Sequence, residues 1–426
     1  MHVLGAIMAG IVMRTLLFAL VLLASATCAL AQDEISLQQA LRLGLQQNPQ
    51  LAGYSFRRDA LAGEAQSARL RPETAVQFEA ENLAGSGAKS GVKAAEFTLS
   101  FGSVVELGGQ RDARMGAVTA RQQQLASEQR MAVLDVVAGV NYRFIALLAA
   151  QEQSRLAQEA WQLAQSLAES LDKRVQAGST PKAELMRARA AVARTEIALD
   201  KARQQLREQA LSLSAYWAEP NPAFSRASGD LFRLPALESL AGWQARLAQN
   251  PDLALLADAT RLRAAELRKA EAEGKLALGW SAGVRQSQDT SDTALVVGVN
   301  IPLASGRRAA GAIQVARAEQ DAAELAETSA RTRLQTRLQQ TYAAHQQALA
   351  EVENLRERIL PLLQESSRDT TAAFNQGRYS SLELAMAQRE LLEARAELIS
   401  AALRAHETRI ELERLTASAA YTEVTP

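Results

Sequence analysis

The chain carries its own plan twice. The segment LQQNPQL at residues 45–51 returns as LAQNPDL at 247–253, an offset of 202 residues (247 − 45). A second pair lies deeper in each copy. Gly178 is followed by Glu184, Leu185 and Ala188, and Gly377 by Glu383, Leu384 and Ala387, an offset of 199 (377 − 178). Two copies with nearly equal internal spacing fold as two versions of one unit. Each copy reads short helix, helix, strand, strand, very long helix, turn, long helix.

The period of the apolar residues carries that reading. Residues 35–48 place Leu37, Ala40, Leu41 and Leu45 on one helical face, Pro49 suits the first turn of a second helix, and Pro72 stops it. The period then becomes two. Val76, Phe78 and Ala80 alternate with Gln77, Glu79 and Glu81; past a Gly/Ser/Lys loop at 85–93, Phe97, Leu99 and Phe101 alternate with Glu96, Thr98 and Ser100. In the second copy Leu276, Leu278, Trp280, Ala282 and Val284 share a face, as do Leu295, Val297, Val299 and Ile301. Each copy thus predicts a hairpin of strands about nine residues long.

Such strands fit a soluble sheet packed on a helix, or a membrane barrel wall with lipid on its apolar face. The flanking helices are too long to fold back as a compact cover, which favours the wall. Small barrels have about eight strands, and open edges are not tolerated in lipid. A four-stranded chain must therefore close its wall with symmetry mates.

The leader agrees. Arg14 precedes the apolar run 16–24, and Ala29-Leu30-Ala31 offers an A-x-A cleavage site before Gln32, so residues 1–31 read as an export signal, with Met13 an alternative start. Cys28, the single cysteine, follows Ser25-Ala26-Thr27, a poor match to a lipoprotein signal. Beyond the leader no stretch reads as a spanning helix of about 18 apolar residues.

The helices make up most of the chain. Residues 109–177 and 307–376 read as two continuous helices of nearly 70 residues, each reaching roughly 100 Å. Val133, Val137, Val140, Phe144 and Leu147 form one seam. On the returning helices Leu185, Val192, Leu199, Leu206 and Leu213 recur every seven residues, as do Leu384, Leu391, Leu398, Ala405 and Leu412. Ala188, Ala202, Ala387, Ala394 and Ala401 lie three positions after seam residues, allowing close coiled-coil pairing. Aromatic residues are only 4% of the chain, as narrow helical seams require.

Catalytic and nucleotide motifs are absent. His345 and His406, the only histidines after the leader, sit in helical pattern, and no metalloprotease, nucleophile-elbow, phosphate-loop or dinucleotide signature occurs. Gly108-Gly109 lacks the spacing of a phosphate turn and reads as a helix entry; Glu351 and Glu353, among Arg356 and Arg358, read as a solvated face. An enzyme, a cofactor and a bound metal are not expected. Lysine plus arginine and aspartate plus glutamate balance at 47 each without a basic block, so nucleic acid is not an expected partner.

The duplicated strand–strand–long-helix plan resembles the outer membrane efflux proteins, the channel component of bacterial tripartite exporters. The turn motif F/V-x-x-G followed by E-L-x-x-A, at 175–188 and 374–387, strengthens the resemblance. FEAENLAGSG at 78–87, AEFTLSF at 95–101 and ELGGQRDAR at 106–114 are similar to the branch serving heavy-metal cation exporters. The resemblance implies a mixed fold, a membrane β-barrel continued by an α-helical barrel. Four strands per chain would be closed as a homotrimer of twelve strands in the outer membrane of a Gram-negative bacterium.

The expected layout is a signal peptide at 1–31, a first repeat at 32–216, an equatorial linker at 217–240, a second repeat at 241–416 and a tail at 417–426. The implied partners are outer-membrane lipid, a periplasmic adaptor and an inner-membrane RND-type pump. Phe97, Leu99, Phe101, Leu278 and Trp280 would face lipid. The turns at Gly178 and Gly377 would take the adaptor, and Glu184, Glu383, Phe374, Tyr379 and Arg378 would form the periplasmic gate. A drug or polypeptide duct of the same fold, and a coiled-coil adaptor without a barrel, are the competing readings.

Overall fold

The computed structural model describes residues 33–303 and 305–417. The export signal, Cys28 and all but the first residue of the tail lie outside the described residues. In chain order the elements are β1 (Glu34–Ile35), α1 (Leu37–Gln47), α2 (Pro49–Arg69), β2 (Ala75–Glu81), β3 (Glu96–Glu106), α3 (Gln110–Gln176) and α4 (Lys182–Ser214). Between the copies lies β4 (Arg226–Ala227), and the second copy follows with α5 (Leu240–Leu247), α6 (Pro251–Glu273), β5 (Ala277–Ser287), β6 (Thr293–Asn300), α7 (Ser305–Asn354), α8 (Leu360–Asn375) and α9 (Ser381–Thr416).

The repeated Asn-Pro explains itself locally. Asn48 caps α2, its Oδ1 accepting from the backbone N–H groups of Gln50 and Leu51 at 2.9 and 3.2 Å, while Pro49 fills the first turn where no N–H is needed. Asn250 caps α6 in the same way through Leu253 N–H at 3.0 Å. Each asparagine also ties its helix to a returning one. Asn48 Nδ2 donates to the carbonyl of Tyr216 just past α4, and Asn250 Nδ2 to that of Leu415 in α9. Both are buried, so the motif is a cap and a cross-tie at once.

The heptad seams are the core. Val137, Val140, Phe144 and Leu147 of α3 are buried, with Leu185, Leu199 and Leu213 of α4 and Leu384, Leu398, Ala405 and Leu412 of α9. The largest cluster gathers α1, the middle of α3, the C-terminal end of α4, and α9 around Trp217, Phe224 and Leu231. There a two-residue parallel ladder pairs Glu34 with Arg226 and Ile35 with Ala227, joining the segment before α1 to the inter-repeat segment. This belt is held by contacts nearly 200 residues apart in sequence.

Two expectations need correction. The helix read as continuous over 307–376 is interrupted: α7 and α8 are separated by a π-helical turn at Leu355–Ile359. Pro361, inside that span, supplies the reason. Its ring would clash with the carbonyl four residues back and it has no N–H to donate. The chain widens its turn ahead of it, and Leu360 N–H bonds to the carbonyl of Leu355, five residues back. The first copy has no such proline, and α3 runs 67 residues unbroken.

One window within α3 is long and apolar enough, by composition, to cross a membrane. Part of it is core: Val136, Val137, Val140, Phe144, Leu147 and Leu148 are buried in the belt.

Candidate functional site

The four long strands form one antiparallel sheet in the order β2–β3–β5–β6. Each hairpin comes from one copy, and the eleven-residue pairing of β3 with β5 joins them. The register aligns the apolar residues in rows. Phe78, Leu99, Val284 and Leu295 stand side by side, next to the row Val76, Phe101, Ala282 and Val297. Trp280 pairs with Val299, and Leu278 with Val105. All lie on one face, and most are open: Leu295 is 77% exposed, Val76 74% and Leu99 56%. Phe97 is half-buried against Phe78, with ring centroids 6.2 Å apart, and Phe101 meets Trp280 edge-on at 5.7 Å. A soluble protein does not leave a continuous apolar sheet face uncovered.

The opposite face is polar and small. Arg285 Nε donates to Thr98 at 3.0 Å, and its terminal nitrogens lie 3.3 and 3.2 Å from the carboxylates of Glu81 and Glu96. Gly102, Gly283 and Gly298 sit on this face because nothing larger fits. A Cβ on Gly102 would lie 2.5 Å from the carbonyl of Trp280, and one on Gly283 2.5 Å from that of Leu99. Side chains converge on the inside of a curved sheet, and glycine marks tight bends there. Gly283→Val is expected to cost about 1–3 kcal/mol through overpacking and to lower assembled yield in outer membranes, whereas Val284→Ile on the open face should leave yield unchanged.

Both tips turn identically. α3 ends at Gln176 and Gly178 takes φ 73°; α8 ends at Asn375 and Gly377 takes φ 74°. In each, the N–H after the glycine reaches five residues back, Ser179 to Arg174 and Arg378 to Ala373, both at 2.9 Å. Only glycine adopts this left-handed helix stop without strain.

Past the glycine the two tips differ. Ser380 and Glu383 form a capping box at the start of α9: Ser380 N–H and Oγ both donate to the Glu383 carboxylate, at 2.7 and 2.8 Å. These bonds hold the Glu383 carboxyl below its ordinary pKa. In the first copy Pro181 takes the place of Ser380, so Glu184 has no local cap to close. Its Oε2 instead accepts from Ser381 Oγ at 2.8 Å, tying the first hairpin to the second.

Phe374 is buried with Leu171, Leu185 and Leu384, and the Arg174 guanidinium sits 4.1 Å from its ring centroid while donating to its carbonyl at 3.0 Å. Its ring is thus taken up by packing within one chain, while Tyr379 and Arg378 are exposed. Sequence reading missed Arg174 and Ser381. The duplication held the signal, since their counterparts are Ala373 and Lys182.

A strand wall with a bare apolar face, continued by helices at the end opposite its hairpin loops, defines a membrane-embedded protein. The chain belongs to the outer membrane efflux protein family, whose model matches residues 37–219 and 243–418. It is 26% identical over 386 residues to the cobalt-zinc-cadmium resistance protein CzcC of Cupriavidus metallidurans, covering 90% of each chain. Its fold is similar to the Campylobacter jejuni outer membrane channel CmeC (TM-score 0.76, 14% identity, covering 89% of this chain and 85% of that one). It is also similar to the Vibrio cholerae outer membrane protein VceC (TM-score 0.74, 18% identity, covering 90% and 96%). The protein is an efflux protein of the outer membrane, not an enzyme.

Proposed function

We propose that three copies close a twelve-stranded barrel and form the passive exit duct of a tripartite exporter for heavy-metal cations. The observation that carries the closure is the pair of sheet edges. Among the described residues β2 pairs only with β3, and β6 only with β5, so each outer edge offers unpaired backbone groups beside an apolar face. Lipid does not tolerate such edges, and β2 of one copy meeting β6 of the next removes all of them. Outer-membrane extracts run with and without heating test this: a heat-modifiable species with the mass of three chains is expected, and a monomer would overturn it.

The metal cargo rests on the likeness to CzcC across 90% of both chains. An inner-membrane RND-type pump would supply the cations, and a periplasmic adaptor would dock on the turns at Gly178 and Gly377. The layout of leader, two repeats, linker 217–240 and tail belongs to the same reading. Expression in a strain lacking its native channel is expected to restore cobalt, zinc or cadmium resistance. Restored drug resistance alone would assign a drug duct. A duct need not hold its cargo, so His345→Gln with His406→Gln should leave metal resistance intact near neutral pH. Loss of resistance at normal subunit abundance would make the histidines ligands.

The gate follows from threefold symmetry. Glu184 and Glu383 supply six carboxylates at one tip, and crowded like charges favour cations and resist closure unless compensated, as Arg378 could do. Tyr379, exposed beside them, would narrow the passage, with Phe374 bracing it from behind. Glu383→Gln combined with Glu184→Gln is expected to lower cation preference in planar bilayers. Unchanged conductance and selectivity would leave Glu383 a helix cap and Glu184 a hairpin tie.

A further inference from the structure

The belt contains the only two histidines of the described residues, His345 buried and His406 half-buried, where the inter-repeat segment meets the tunnel helices. His345 on α7 is 1% exposed. Its Nδ1 lies 3.0 Å from Thr408 Oγ1 on α9. The Thr408 hydroxyl is within 2.8 Å of the carbonyl of Arg404 and 3.1 Å of that of Ala405, so its hydrogen is committed to the backbone and its oxygen accepts from the imidazole. Nδ1 therefore carries the proton. Nε2 is the nitrogen that would gain a second one, and it is buried with no hydrogen-bond partner. His406 on α9 is engaged from the other side, its Nε2–H donating to the carbonyl of Leu231 at 2.9 Å and fixing the inter-repeat segment.

The surrounding charges are arranged as a clasp. Trp243 of α5 is fully buried, with the guanidinium groups of Arg246 and Arg409 centred 4.2 and 5.0 Å from its ring centroid. Both arginines bind the Glu238 carboxylate, at 2.6 and 2.9 Å, and Arg409 also binds Glu413 at 2.6 Å. Tyr342, one turn before His345 on α7, donates to the carbonyl of Glu238 at 3.1 Å. Two elements, α7 and α9, thus grip residues 230–247, the segment that ends in α5. A proton on His345 would meet Arg409 and, less strongly, His406, with the carbonyl of Ala405 favouring it only in part. On His406 it would be met in part by Asp230. From α3, Tyr142 donates to the carbonyl of Glu407; the remaining charges nearby are paired, Arg404 with Glu351 and Arg337 with Glu411.

We propose that the belt is an acid-sensitive clasp: protonation of His345 and His406 releases residues 228–247 from α7 and α9, loosening the duct at its waist. This inference rests on the contacts of one chain and goes beyond the duct reading. Burial holds both imidazoles below their ordinary value of 6.5. The released state therefore binds more protons than the clasped one. The histidine contribution to clasping is complete above about pH 6.5 and is lost as pH falls through that value toward the depressed one, by up to about tenfold per unit for each imidazole. Two other groups act differently. Glu407, half-buried and held above the ordinary carboxyl value by burial, opposes release in acid. Glu238, held below its ordinary 4.5 first by Arg246, gives way only at lower pH.

Hydrogen–deuterium exchange of the full chain in detergent, at pH 7.5 and 5.0 and normalised for intrinsic rates, tests the clasp. Peptides within 228–247 should lose at least about tenfold protection at pH 5.0, while strand peptides within 277–300 do not change. In His345→Gln/His406→Gln the belt difference should vanish. His345→Leu/His406→Leu, which keeps the sites filled without a titrating group, repeats that arm if the glutamine pair unfolds. Equal wild-type belt protection at both pH values, or a non-titrating pair that keeps the whole wild-type loss, would overturn the proposal.

Discussion

Arginine at Phe101 is expected to cost about 2–4 kcal/mol, the penalty of a cation at the middle of a barrel's lipid face. Along β3 the apolar face runs from Phe97 to Val105, eight steps of about 3.4 Å, or about 27 Å of strand. Tilted by about 40°, that length spans roughly 21 Å, close to the apolar band of an outer-membrane barrel. Phe101 occupies the middle row, opposite Val76 and Ala282, and Leu99 the next one out. Leu278 pairs with Val105 in the last row before the helices, so arginine there should cost only roughly 0–1 kcal/mol. Trimer yield in purified outer membranes should fall for Phe101→Arg, slightly less for Leu99→Arg, and little for Leu278→Arg. Equal yields from all three would show that this face does not meet lipid.

Removing the belt's anchor should be as damaging. Trp243→Ala is expected to cost about 3–5 kcal/mol, because a fully buried indole leaves a void between Leu338 and Leu412. The loss exceeds simple burial, since Arg246 and Arg409 lose the ring on which they lie. Limited trypsin digestion should then cut at Arg233 and Arg246 under conditions that leave the wild-type belt intact. Trp243→Phe should fall between the two, keeping most of the packing and a weaker cation–π contact. A belt as resistant in Trp243→Ala as in the wild type would mean that the ladder of β1 with β4 suffices to hold it.

Periodicity and punctuation made much of this protein legible in its sequence. A period of two at 76–80 and 97–101 can only be a strand with unlike faces, and heptad leucines at 185–213 can only be a helix with a narrow seam. Asn-Pro at 48–49 and 250–251, and glycines at 178 and 377, state where helices begin and stop, because caps and left-handed turns depend on local geometry alone. Pro361 was equally legible, and the π-helical turn before it arises from the same local chemistry.

Long-range contacts were not legible. That β3 pairs with β5, that Ile35 lies beside Ala227, and that Glu184 reaches Ser381 rather than its own helix start are decided by which segments meet once both copies fold. No local pattern encodes a partner nearly 200 residues away. The same holds for the clasp. His345 and His406 are ordinary helical residues by spacing, and only packing between α7, α9 and the inter-repeat segment buries His345, half-buries His406 and leaves Nε2 of His345 without a hydrogen-bond partner. The sequence by itself determined the elements, their faces and their ends; tertiary structure decided which faces meet, because burial and pairing belong to contacts between distant segments and to no single one of them.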